Sequence, residues 1–159
     1  MQPTSEHETA MRLAIAASRQ ALANGDSPYG ATLVSAAGQP VHTALNRQHT
    51  TADCTAHAEL MLVREATARF GPEALAGGTV YASGEPCAMC AGAMFWAGVR
   101  RIVFAAPNDA MGELMGGNLL PIRCAEVLAG ASPAVEVVGP VLADEALAVL
   151  REAAAGKSN

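Results

Sequence analysis

The sequence predicts an α/β fold, on three observations. Short apolar, β-branched runs alternate with stretches of helical periodicity through the middle of the chain, turn chemistry joins the first two runs, and amphipathic helical segments flank the set at both ends. Ser5 and Glu8 have the spacing of a capping box, and Met11, Ile15, Ala21 and Leu22 follow as an amphipathic helix to about Asn24, with Gly25 as its stop. Residues 31–36 and 41–45 read as two short strands. Between them Ala37-Gly38-Gln39-Pro40 supplies a turn, so a hairpin is expected. A second helix begins near His57, runs through Leu60, Met61, Val63, Arg64 and Ala68 toward Phe70, and ends before Gly71-Pro72, which cannot easily continue it.

Residues 79–83 then read as a buried strand, 87–97 as a helix and 101–106 as another strand, an order that implies parallel pairing. The segment 107–121 carries Gly112, Gly116 and Gly117 with weak periodicity, which suits a surface loop or short helix closing over a site. A strand at 135–138 and a helix at 142–155 complete the chain. Repeats, linkers and low-complexity segments are absent apart from alanine enrichment.

Composition narrows the class of function. Apolar residues make up 51% of the 159 residues but aromatics only 4%, so the core rests on Ala, Val and Leu with Met filling gaps. A net charge of −5 argues against an electrostatic grip on a phosphate backbone, which requires clustered Lys and Arg. Small, uncharged or cationic substrates fit better, and nucleic acid is not an expected partner. No apolar run is long enough to span a bilayer and the first eight residues are polar, so a soluble, unexported protein with no membrane partner is expected. Four cysteines, two of them three residues apart, point to metal or thiol chemistry in a reducing cytoplasm.

The pair Cys87-Ala88-Met89-Cys90 places two thiols one turn apart at a predicted helix start, where the dipole and free N–H groups favour thiolate. Alone, such a pair is a metal half-site, a redox dithiol or a coincidence. His57-Ala58-Glu59 lies at another predicted helix start and offers an imidazole and a carboxylate. His57 with Cys87 and Cys90 makes three ligands, leaving the fourth tetrahedral position of one zinc ion per chain open, as in catalytic rather than structural sites. A carboxylate beside a water activated there can move its proton, and Glu59 suits that part. Read separately, the histidine is a cap or core residue and the glutamate a complement to the dipole.

Thr55-Ala56-His57-Ala58-Glu59 and Glu85-Pro86-Cys87-Ala88-Met89-Cys90-Ala91-Gly92-Ala93 together resemble the H-x-E and P-C-x-x-C signature of zinc deaminases. The chain is similar to the cytidine deaminase-like superfamily, in the branch of guanine deaminases, yeast-type cytosine deaminase and tRNA adenosine deaminases. Pro28-Tyr29-Gly30-Ala31 and the Leu142-Ala143-Asp144-Glu145 tail add weaker support. The resemblance implies a three-layer α/β/α fold with a central mixed sheet of about five strands. It also implies one deaminase domain over 1–159, with a catalytic core at about 5–106 and a lid, strand and helix at about 107–155. The implied reaction is hydrolytic deamination, with water attacking an amino-bearing ring carbon and Glu59 carrying protons to a ring nitrogen and then to the departing ammonia.

By the same resemblance Asn46 hydrogen-bonds the substrate through its amide, Tyr29 and Trp96 flank a flat base, and the backbone N–H of Ala58 meets a substrate acceptor. Asp109 and Glu113 lie where related enzymes place substrate-selective groups. From the residues alone Asn46 is equally a turn former, Tyr29 and Trp96 core, and the two acids solvated surface. Cys54 and Cys124 read as ordinary buried thiols, and His7, His42 and His49 carry no assigned role. Phe95-Trp96-Ala97 resembles the corresponding run of guanine deaminases, so a purine base such as guanine ranks first, then cytosine or a nucleoside, then tRNA adenosine. A structural zinc module, with a fourth protein ligand, and a redox dithiol protein are the competing classes. A homodimer is the expected assembly.

Overall fold

The structure, a computed structural model, describes residues 5–157. Period-two alternation sorts its strand side chains onto two faces of one sheet. Strands β1 (Gly30–Val34), β2 (Pro40–Leu45), β3 (Thr79–Gly84), β4 (Arg101–Ala106) and β5 (Glu136–Val138) lie in the order β2-β1-β3-β4-β5. β1 is antiparallel to both β2 and β3, while β3, β4 and β5 run parallel, so the sheet is mixed. Leu33, Val80 and Ile102 turn to one face, where they meet helices α2 (Ala58–Phe70) and α3 (Ala88–Trp96) through Leu62, Ala66, Cys90, Ala91 and Met94. Their neighbours Val34, Tyr81 and Val103 turn to the other, against Met11, Ala14 and Ile15 of α1 (Ser5–Ala23) and Val149 and Leu150 of α6 (Ala143–Lys157). The result is the expected α/β/α sandwich, and alanine-rich helices let it close with few aromatics.

Several boundaries differ from expectation. Ser5 is already helical, so the expected Ser5–Glu8 capping box is not the arrangement seen; residues 1–4 of the polar start lie outside the described residues. The first strand ends at Val34 because the register shifts between Leu33 and Val34 and the chain turns early. Residues 107–121 contain a true helix, α4 (Asn108–Met115), and a further short helix, α5 (Cys124–Val127), was not expected. A 3₁₀ turn at Pro72–Ala74 also went unanticipated. Among the described residues no helix is long and apolar enough to cross a membrane.

Topology brings one end of the sheet to a single place. Pairing of Gly30 with Leu45 and of Gly84 with Ala106 sets the start of β1 beside the ends of β2, β3 and β4. Two glycines permit the approach. A Cβ on Gly30 would collide with the backbone of α1 at Ala14 and Ser18, and one on Gly84 would lie 2.6 Å from Met111 Sδ and 3.0 Å from the Tyr29 ring.

Candidate functional site

At that sheet end, α2 and α3 present their N-termini to each other. His57 is the N-cap of α2 (φ −66°, ψ 152°) and Cys87 the N-cap of α3 (φ −72°, ψ 172°), and neither side chain caps its own helix. N-caps are ordinarily Ser, Thr, Asp or Asn, whose oxygens turn back onto the helix. Here the side chains turn outward and meet: His57 Nδ1 lies 3.5 Å from Cys87 Sγ and 3.6 Å from Cys90 Sγ. Zn–S bonds of about 2.3 Å and Zn–N bonds of about 2.0 Å at a tetrahedral angle place N and S roughly 3.5 Å apart. The three donors therefore fit zinc, and no fourth His, Cys, Asp or Glu joins the group among the described residues.

Without metal the three donors differ in proton affinity, and only Cys87 is favoured as a thiolate. The hydrogen bond from Cys90 is the largest influence on the Cys87 thiol, and against the cost of burial it and His57 pull that thiol down to about 4. Cys90, hydrogen-bonded to Cys87 and buried, is pushed up. His57 is raised, chiefly by its bond to Cys87. Glu59 stands one residue into α2, only 6% exposed, and burial lifts its carboxyl above the usual range against the pull of its own backbone N–H, of His57 and of the Cys90 thiol.

His57, Glu59 and Cys87 line a cavity of about 540 Å³ together with Tyr29, Asn46, Gln48, Cys54, Ala58, Glu85 and the inner face of α4, a size suited to one small ligand. Tyr29 lies against Gly84, its hydroxyl pushed up to about 12, mainly by burial. Asn46 is 1% exposed and hydrogen-bonded to Gln48. Ala58 is fully buried at the first position of α2, where its N–H has no acceptor within the helix.

Trp96, Asp109 and Glu113 are not brought to this cavity. Trp96 ends α3, about 12 Å along the helix from its N-terminus, and is 83% exposed, edge-on to Phe95. On α4 the residues facing the cavity are Asn108, Met111, Gly112 and Met115, one helical stripe. Asp109 and Glu113 sit on the opposite, exposed side, and Asp109 accepts the N–H of Ala110. Cys54 is exposed at the cavity, contrary to the expected buried thiol, whereas Cys124 is buried and its thiol pushed up to about 12 by that burial.

Two carboxylates given no role beforehand hold the cavity walls. Glu85, 6% exposed, accepts bonds from Arg123 Nε and Nη2 (2.8 Å for the latter) and from the backbone N–H groups of Asn108 and Cys124, tying the end of β3 to the starts of α4 and α5. Asp26 accepts from the N–H groups of His49 and Thr50 and from the Thr50 hydroxyl, fixing the segment after β2. Among the described residues Lys157 is the only lysine or arginine lining the cavity. These contacts span 23 to 39 residues, so local sequence pattern carries no signal for them.

Comparison with known proteins places the chain. Residues 4–106 match the family model for the cytidine and deoxycytidylate deaminase zinc-binding region. The chain belongs to this family. This deaminase is 38% identical over 141 residues to a probable cytosine deaminase of Schizosaccharomyces pombe, a match covering 86% of the chain and 85% of the relative. It is 37% identical over 119 residues to the tRNA-specific adenosine deaminase of Bacillus subtilis, with 73% and 72% covered. The solved structure of a guanine deaminase from Nitrosomonas europaea superposes with a TM-score of 0.81 at 25% identity, covering 98% of this chain and 87% of that one. Against the tRNA(Ile)-lysidine synthase of Deinococcus deserti, 37% identical over 152 residues, the chain spans only 27% of the relative's length.

Proposed function

We propose that this protein is a zinc-dependent hydrolytic deaminase whose substrate is a free purine base such as guanine. The observation that carries the reading is the meeting of His57, Cys87 and Cys90 on two helix N-caps beside the buried Glu59, on the wall of a cavity sized for one base. The three donors would hold the zinc, and zinc when bound supplies a Lewis acid that makes water nucleophilic near neutral pH. Glu59 takes a proton from that water and passes it to a ring nitrogen. It then carries the second proton to the amino group that leaves as ammonia, so that amine plus water becomes oxo base plus ammonia. Tyr29 supports one face of the ring, the Asn46 amide holds an edge, and the Ala58 N–H meets an acceptor. Trp96, Asp109 and Glu113 take no part in holding substrate in this reading.

A base is favoured over RNA because the net charge is −5 and Lys157 is the only lysine or arginine at the cavity among the described residues; the guanine deaminase likeness supports the purine. The continuous sheet and the packing of α1 on α6 across the described residues support a single deaminase domain over 1–159, and its free cysteines suit a reducing cytoplasm. The exposed Trp96 beside Phe95 is the kind of patch a second copy covers, which supports a homodimer. The test is ammonia release from guanine, adenine, cytosine, their nucleosides and a tRNA anticodon stem-loop, with zinc content measured in parallel. Release from guanine by protein holding one zinc per chain is expected, and a clear preference for the RNA would overturn the substrate assignment.

A further inference from the structure

We infer that Gln48 is a specificity-determining residue: it fixes the direction of the Asn46 amide and adds a second N–H donor that selects bases with an oxo acceptor on that edge. The inference rests on the proposed deaminase reading and deepens it. An asparagine amide looks nearly symmetric, so which end meets a substrate must be decided by its partners. The backbone N–H of Gln48 lies 3.0 Å from Asn46 Oδ1 and can only donate, so that atom is the oxygen. The other end is therefore Nδ2, and it donates to Gln48 Oε1 at 2.7 Å. This in turn makes the remaining Gln48 terminus Nε2, a donor with no partner among the described residues.

Both side chains line the cavity, Asn46 at 1% exposure and Gln48 half-buried. The segment bearing them is rigid: the Asn46 N–H is held by the Tyr29 carbonyl, the Arg47 N–H by the Ala56 carbonyl, and His49 and Thr50 by Asp26. The edge thus offers one spare Nδ2–H and the Nε2 hydrogens side by side. A carbonyl oxygen satisfies such donors, whereas an amino group leaves donor facing donor and a polar group unpaired. Guanine and 2,6-diaminopurine carry oxo and amino groups at the same ring carbon, and so report on this edge directly.

The experiment uses the zinc-loaded full chain, Gln48→Glu and Gln48→Met. For each it measures kcat and KM for guanine by ammonia release, the inhibition constant of 2,6-diaminopurine, zinc content and Tm. Gln48→Glu keeps the acceptor for Asn46 Nδ2 but turns the substrate-facing donor into an acceptor. It should raise the guanine KM about tenfold and tighten 2,6-diaminopurine, reversing the preference. Gln48→Met removes both functions and should weaken guanine about tenfold or more without that reversal. If both variants keep the wild-type ratio of guanine to 2,6-diaminopurine while wild-type enzyme turns guanine over, the Gln48 assignment falls alone. If wild-type protein releases ammonia from no base, the deaminase reading falls and this one with it.

Discussion

A carboxyl in the first turn of a helix is ordinarily a carboxylate, drawn to the free N–H groups there. Glu59 occupies that position in α2 but is 6% exposed, and burial outweighs the helix end and lifts its proton affinity. A group so placed holds a proton more readily than a surface glutamate does, which suits it to proton transfer. Glu59→Gln keeps shape and burial but cannot shuttle protons. Ammonia release should fall by about 10²- to 10⁴-fold, while zinc content measured by atomic absorption stays at the wild-type value. Turnover within a few-fold of wild type would remove Glu59 from the proton path. Asn46 lies at the other wall and depends on Gln48, so its contribution is set by a neighbour two residues along.

Among the elements, the cavity depends on two carboxylate clasps. Burial alone would raise Glu85, but Arg123 and the N–H groups of Asn108 and Cys124 outweigh it and hold the carboxyl below its usual value. Arg123→Ala would leave a buried carboxylate with only backbone partners and should cost about 1–3 kcal/mol, read as a lower Tm and a weaker KM as α4 loosens. Unchanged Tm would show that the clasp carries no strain-bearing role. Asp26 behaves alike: burial opposes, the bonds from Thr50 and His49 prevail, and its value is lowered. The stability it contributes is complete above the ordinary carboxylate value of about 4 and disappears as pH falls through the depressed one. Asp26→Asn should therefore melt about 1 kcal/mol less stably than wild type at neutral pH, with the gap closing in acid; a gap constant with pH would count against it. The helix starts at His57 and Cys87 were legible because periodicity, ligand types and short spacing coincide there. The clasps were not, since Glu85 meets Arg123 across 38 residues and Asp26 meets His49 across 23. The position of Trp96 was not legible either, since residue type speaks for stacking, whereas helix length sets it at the far end of α3, outside the cavity lining.

For the whole molecule, a metal held by His57, Cys87 and Cys90 would join two helices that the sheet already holds. Both faces have apolar layers independent of the ligands, Leu33, Val80 and Ile102 on one and Val34, Tyr81 and Val103 on the other. The fold should thus survive without zinc, unlike small zinc modules that exist only when loaded. Zinc held more tightly by the native arrangement than by the unfolded chain would nevertheless stabilise the fold by mass action. At a free concentration a thousandfold above Kd this amounts to about 4 kcal/mol, or roughly 10 °C in Tm for a chain of this size. A strong chelator should therefore abolish ammonia release and lower Tm by about that amount, with far-ultraviolet dichroism unchanged below the transition. Cys90→Ser removes a ligand that is fully buried on α3, so its Tm should already be low and should respond little to chelator. Wild-type protein whose Tm and activity both ignore the chelator would dismiss the metal from site and fold together, and would return Cys87 and Cys90 to thiol chemistry.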